Sequence, residues 1–175
     1  MASGLAQSAE VKPVSKPPRP HKPVAEDYLA HSPNIVSYRF GVRASAVWAA
    51  LLDPQAWTEW LPITKVTWTS PKPFGVGTTR TVEVGPQVIE ETFFAWDEGS
   101  RMAFRFERST LPISAAVEDY RVIPTAEGCE LRWTGRASAV FPLGFLVNRQ
   151  LAGSLKAGLP KLEALIKADP KRFGA

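Results

Sequence analysis

The stretch FPLGFLVNRQLAGSLKAGLPKLEALIKAD, Phe141 to Asp169, decides the fold. Leu143, Val147, Leu151, Leu155, Leu159, Leu162 and Ile166 recur at steps of four and three, the period of one helix face. Arg149, Lys156, Glu163 and Lys167 fall on the opposite face. At about 1.5 Å per residue, Leu143 to Lys167 would run roughly 37 Å, long for a domain this small. One apolar face of that length needs a large partner surface, and the preceding chain reads mostly as strands. At about 100° per residue, Ser154 and Gly158 fall within the apolar face beside Leu151 and Leu155. A hydroxyl and a missing side chain there would leave room for a ligand, or would let the helix pack closely on a sheet. Pro160 lies on the solvent side, where its missing N–H is expected to bend the helix convex to water.

Upstream of the helix, period-two alternation is the main signal. Arg101 to Glu107 carries it most cleanly, with Met102, Phe104 and Phe106 on one face and Arg101, Arg105 and Glu107 on the other. Cys129, Leu131 and Trp133 alternate with Glu130, Arg132 and Thr134. Val66 and Trp68 alternate with lysine and threonines, and Val82 and Val84 with Thr81 and Glu83. Asn34 to Gly41, Gln87 to Trp96 and Ile113 to Ile123 complete the strands. The inward face of Gln87 to Trp96 is ambiguous, because Phe93 and Phe94 are both apolar. DEGS, Asp97 to Ser100, is a hairpin signal. After the first strand, Ser45 can cap a helix bearing Val47, Trp48, Leu51 and Leu52. Asp53-Pro54 breaks it and starts a second short helix with Trp57 and Trp60, which Pro62 ends. The order is β-α-α-β-β-β-β-β-β-α. Short hairpins make antiparallel pairs, so an α+β sheet curved around the last helix is the economical arrangement.

Residues 1–33 are rich in Pro, Lys and Ser, and VKPVSKPPRPHKP forbids regular helix. They read as a disordered tail, with AEDYLAH (Ala25 to His31) as a turn of helix that docks Tyr28 and Leu29. P-x-x-P spacing around Arg19 would also suit an aromatic-groove partner. Residues 34–169 form the domain, and 170–175 a flexible end.

Composition narrows the function. The 45% hydrophobic fraction and six tryptophans supply a substantial core. Asn34 to Gly144 holds 11 Lys/Arg against 12 Asp/Glu, whereas Phe145 to Ala175 holds six against two. The net charge of +4 is therefore local to the last helix and its end, and no nucleic-acid partner is expected. Cys129 is the single cysteine, which excludes an intramolecular disulfide and a thiolate cluster. Both histidines, His21 and His31, lie in the tail, so a Ser-His-Asp or Cys-His mechanism and a histidine metal site have no residues in the domain. Neither a signal peptide nor an apolar run of the ~20 residues needed to span a bilayer is present. A cytoplasmic protein without metal or cofactor is the expectation.

VRASAVWAALLDPQAWTEWLP (residues 42–62) resembles the opening of the SRPBCC superfamily (START-like, Bet v 1-like), particularly its polyketide cyclase/dehydrase branch. Gly75-Val76-Gly77-Thr78, AWDEGSRMAF at the central hairpin, VIPTAEGCELRW before the last strand and PLGFLVNRQLAGSLKAGLPKLEALI at the end are similar to later parts of the family, in the same order. The match covers about Ile35 to Lys167. The resemblance implies a helix-grip fold, a curved antiparallel sheet of about seven strands embracing the C-terminal helix with two short helices closing one end. It also implies a cavity between sheet and helix for a lipid, sterol, polyketide, quinone or similar apolar ligand. It implies no single reaction, because members range from cyclases to carriers.

The expected ligand-facing set is Trp68, Val82, Val84, Phe94, Met102, Phe104, Phe106, Leu131, Trp133, Leu151, Ser154, Leu155 and Gly158. Polar residues sharing parity with apolar ones are more informative, since burying an unpaired charge costs several kcal/mol. Arg80 shares parity with Val82 and Val84, Glu90 with Phe94 and Trp96, and Glu118 and Tyr120 with Val122. Arg80 with Glu90 or Glu118 could pair inside the cavity and orient a polar ligand group. Alternatively, these charges sit on the solvated face.

Three functions follow. The first is a carrier or sensor of a small hydrophobic molecule. The second is a cyclase- or dehydratase-type enzyme, which requires Arg, Glu and Tyr converging at the cavity floor with a perturbed carboxylate. The third is an interaction module whose apolar groove or tail binds another protein or the surface of a membrane, which the basic outer face of the last helix permits.

Overall fold

Alternation along the chain sets up one sheet with an apolar face and a polar face, and the last helix covers the apolar one. The computed structural model describes residues 16–32, 34–140 and 142–175. The tail expected over residues 1–15, and Phe141, lie outside the described residues. In chain order the elements are β1 (Arg19–Pro20), α1 (Glu26–Leu29), β2 (Asn34–Phe40), α2 (Ala44–Leu52), α3 (Pro54–Trp60), β3 (Lys65–Trp68), β4 (Thr79–Val84) and β5 (Gln87–Asp97). β6 (Arg101–Ser109), β7 (Ile113–Thr125), β8 (Gly128–Ala139), α4 (Leu143–Ala168) and α5 (Pro170–Phe173) follow.

The sheet runs β2-β8-β7-β6-β5-β4-β3, every pair antiparallel, with β1 added against β6. This is the expected α+β helix-grip architecture. Asp53 caps α3 by accepting from the Gln55 and Ala56 N–H groups at 2.8 and 3.3 Å, with Pro54 in the first turn. Ser45 does not cap α2. That helix starts one residue earlier, with Arg43 at the cap position, and Ser45 lies in its first turn.

α4 is continuous through Pro160 and has two different halves. Leu155, Leu159, Leu162 and Ile166 are buried in the core with Val36, Phe40, Leu131 and Trp133 of β2 and β8. Leu143 and Leu146, at the first and fourth positions of the helix, are 41% and 55% exposed. One half is a plug and the other an overhang.

Two terminal segments differ from expectation. β1 joins the sheet beside β6 and α1 packs against its outward-facing Arg101, Arg136 and Ser138, so Pro17-Pro18-Arg19-Pro20 is not available as a free ligand for a groove. β1 pairs Arg19 with Ser109 and Pro20 with Arg108, and the His21 N–H donates to Glu107 O at 2.8 Å. Beyond it, the Tyr28 ring packs under the Arg136 guanidinium at 4.3 Å and Leu29 is buried, the docking expected of α1. Residues 170–175, expected to be a loose end, include α5, capped by Asp169. Phe173 is buried, and Arg172 reaches Asp53 at 2.7 Å and Glu59 at 2.8 Å. Asp169-Pro170 repeats the Asp-Pro start of α3, a signal available in the sequence.

Candidate functional site

Strand direction sorts the walls of the space beneath α4. β4, β5, β6 and β7 are antiparallel neighbours, so Val84, Ile89, Phe106 and Ile113 lie toward one end of the sheet and Arg80, Glu91, Phe104 and Glu118 deeper. The loop after α3 and the first turns of α4 close over the same end. Together they enclose a cavity of about 230 Å³, below the ~300–1,000 Å³ typical of sites for drug-sized ligands. Its mouth is rimmed by Pro62, Pro112 and Gln150, all exposed.

Of the expected ligand-facing residues, Val82, Val84, Phe104 and Phe106 line it from the sheet, and Leu151, Ser154 and Leu155 from α4. The others do not. Met102, Leu131 and Trp133 are fully buried under the plugging half of α4, where inward orientation means core. Trp68 stacks on Phe74 at 4.3 Å and donates through Nε1 to Leu52 O, beyond the cavity floor. A Cβ on Gly158 would lie 2.8 Å from Trp60 and 2.9 Å from Leu61, so this glycine lets α4 approach α3 closely and opens no space.

The floor is polar. Arg80 is 2% exposed, faces Glu91 across the β4–β5 ladder and donates from Nε to Glu91 Oε2 at 2.5 Å. Its guanidinium carbon lies 4.5 Å from the Phe104 ring centre and 4.6 Å from that of Trp57, with Phe93 and Trp68 slightly farther. Glu118 Oε2 accepts from Tyr120 Oη and from Trp133 Nε1, both at 2.9 Å. Gly135 makes the second bond possible. A Cβ there would meet the Trp133 ring at 2.0 Å, so the indole can lie over Gly135, the register partner of Glu118.

Glu90 is not part of this cluster, and Phe94 is not part of the core. Ile89, Glu91 and Phe93 face inward, while Glu90 is 43% exposed and meets Arg108 at 3.6 Å on the outer face. Parity counted from Phe94 and Trp96 fails because β5 carries an extra residue, Phe94, between Phe93 and Ala95. A bulge inserts one residue and reverses which side chains face the core. Trp96, of the opposite parity to Phe93, still packs 5.2 Å from it. Sequence parity could not locate the bulge, and it therefore gave the cavity carboxylate to the wrong neighbour.

Electrostatics at the floor follow from burial. Loss of water pushes the Glu91 carboxyl up to about 7, with Arg80 working against the shift and Glu118 with it. Burial also raises Glu118, opposed by the bonds from Trp133 and Tyr120 and by Arg80. The Tyr120 hydroxyl is raised well above its ordinary value by burial and by Glu118, and it acts as a donor. One fixed cation and two carboxyls that release protons reluctantly can hold a polar ligand group and exchange a proton with it. Cys129 is inert by comparison. It is buried beside Glu163, and burial pushes its thiol up to about 11. Among the described residues, no group of three or more His, Cys, Asp or Glu could hold a metal ion.

Sequence reasoning missed Trp57, Leu61, Ile63, Leu111 and Val147 as lining residues. Trp57 carried a readable signal, an aromatic on the short helix that closes one end of the sheet. The loop residues carried none, because strand parity does not reach them.

Comparison with known proteins agrees with this geometry. Residues 35–167 match the family described as polyketide cyclase/dehydrase and lipid transport. An uncharacterized protein of Mycobacterium tuberculosis is 45% identical over 126 residues, 70% of this chain and 68% of that protein. Solved structures with the same fold include a Thermobifida fusca protein at 21% identity and TM-score 0.62, covering 74% of this chain and 89% of that one. Ara h 8.0201 superposes at 12% identity and TM-score 0.61, covering 77% and 96%. DynU16, from the dynemicin biosynthetic locus, does so at 18% and 0.59, covering 77% and 46%.

Proposed function

The chain belongs to the polyketide cyclase/dehydrase and lipid-transport family, and on that footing we propose that it binds a small hydrophobic molecule beneath α4 as a carrier or sensor. The observation that carries this reading is the cavity itself. Valines, leucines and phenylalanines of four strands and α4 bound an apolar space of about 230 Å³ above a polar floor. Burial of apolar ligand surface at about 25 cal/mol per Å² supplies the driving force.

Filling the space is the test. Ser154→Phe places a ring in the cavity from the helix side, and Ser154 is only half-buried, so the fold tolerates the change. The expected result is an unchanged melting temperature with loss of saturable tryptophan quenching by an apolar probe. Unchanged quenching would contradict cavity binding.

A second reading, an acid–base enzyme of cyclase or dehydratase type, is favoured by one observation. Arg80, Glu91, Glu118 and Tyr120 converge at the floor, and the carboxyls are shifted upward. An enzyme would return the bound molecule cyclised or lighter by one water, whereas a carrier returns it unchanged. Chromatography with mass analysis of extracted ligand before and after incubation separates the two, since a cyclised isomer shifts in retention and a dehydrated product in mass.

Contact with a membrane surface remains the proposal for the mouth. Val140 and Phe145 beside it are 78% and 70% exposed, and Leu131 to Leu162 contains no acidic residue. Flotation with vesicles that does not respond to anionic lipid would remove it.

A further inference from the structure

The floor of the cavity contains a donor that the protein leaves unused. Arg80 commits Nε to Glu91, and its Nη1 is enclosed without an acceptor among the described residues. The rings of Trp57, Phe93, Phe104 and Trp68 surround the guanidinium and balance part of its charge through their faces. None of them offers a lone pair. A buried N–H without an acceptor is destabilising, so native proteins rarely leave one except where a water or a ligand supplies the oxygen. Arg80 itself lines the cavity, together with Phe104 and Trp57, the rings nearest its guanidinium.

We infer that the molecule held here is a small cyclic ketone, whose carbonyl oxygen sits at the floor and accepts from Arg80 Nη1 while its rings fill the apolar part. This inference rests on the binding reading above and adds the chemical class of the ligand.

The unpartnered donor, the two carboxyls and the size of the cavity point to that class. A pure hydrocarbon would bury the Arg80 donor further without satisfying it. A carboxylate would bring a third acidic group to a floor where Glu91 and Glu118 already face one arginine. A neutral carbonyl satisfies the donor and adds no charge. Size and shape select rings over long chains. About 230 Å³ is the liquid share of about eight waters, which suits a compact two-ring molecule. Trp57, Phe104 and Tyr120 bring three aromatic rings to the floor, packed against one another and against Arg80.

The test is a calorimetric titration of the full chain with 1-tetralone, with tetralin, its hydrocarbon counterpart, and with the corresponding 1-carboxylate. Water favours the ketone over the hydrocarbon, so partition alone would rank tetralin first. Tetralone is expected to bind roughly tenfold or more tightly than tetralin, the scale of a hydrogen bond to a charged donor. Arg80→Met should abolish the preference while tetralin still binds. The ligand comparison on the unaltered protein decides the question even if that variant fails to fold. Equal or tighter binding of tetralin would overturn the inference, showing that water suffices for the donor, and would leave the cavity reading intact. Tighter binding of the carboxylate would overturn the neutral-oxygen assignment. Failure of all three to bind would overturn the cavity reading itself, and this inference with it.

Discussion

Glu91 and Gly135 show how single residues build the floor. Glu91 is an acid whose folded pKa, about 7, lies above its ordinary value of 4.5. The folded protein keeps the proton that the unfolded chain releases, so its contribution to stability is full below about pH 4.5 and declines as pH rises toward 7. Relative to a Glu91→Gln variant, the wild type should lose stability across that window, by up to about 1.4 kcal/mol per pH unit. Denaturant unfolding of both proteins from pH 4.5 to 7.5 measures it, and a difference that stays constant with pH would contradict the shifted carboxyl. Gly135→Ala drives a methyl group into the Trp133 ring and should displace the indole from Glu118. A destabilisation of about 1–3 kcal/mol is expected, the usual range for overpacking. Arg80, Glu118 and Tyr120 were legible from parity alone, because β4 and the relevant part of β7 alternate without interruption. Glu91 was not, because a bulge leaves no mark in the sequence of β5. Gly135 carries no signal in the sequence, since its role depends on the side chain two positions earlier lying back across it.

At the scale of elements, α4 carries the design. Its leucine stripe announced a helix over a sheet, and that much follows from period alone. The division into plug and roof does not, because Leu151 and Leu162 look alike until the sheet beneath them is known. Asn148 joins the N-terminal half to the sheet. Its amide exchanges bonds with Ala137, donating to O at 2.8 Å and accepting from N–H at 3.0 Å, and Asn34 Nδ2 donates to it at 3.0 Å. Asn148→Leu should strand these partners and loosen the first turns of α4 while Leu155 to Ile166 stay packed. Hydrogen exchange should then quicken over residues 143–151 and remain slow over 155–166, and uniform quickening would contradict a two-part helix. Gly158→Leu is expected to destabilise the fold through collision with Trp60 and Leu61, whereas Ser154→Phe should affect binding alone. The glycine and the serine looked equivalent on a helical wheel. They differ because α3 lies beneath one and the cavity beneath the other, a fact of tertiary packing that no wheel contains.

For the whole molecule, the order of the main elements, the helix-grip class and the family followed from motifs in the right sequence, since a fold tolerates loose motifs when their order is kept. The N-terminal segment was misjudged from Lys16 onward because its proline content describes what it cannot form. It does not describe where it can lie, and β1 needs only two residues beside the end of β6. The mouth of the cavity is assembled from loops that are far apart in the chain, and composition says little about such a rim. Among the described residues no helix is long and apolar enough to cross a membrane. All these features converge on one claim, that the space between sheet and roof is built to hold a small apolar molecule. Native mass spectrometry of the protein with a small apolar ligand such as 1-tetralone, beside the Ser154→Phe variant, tests it most directly. The wild type should carry one molecule per chain, and the variant, equally folded, should carry none. Equal occupancy of the two proteins, or no occupancy of either, would contradict the claim.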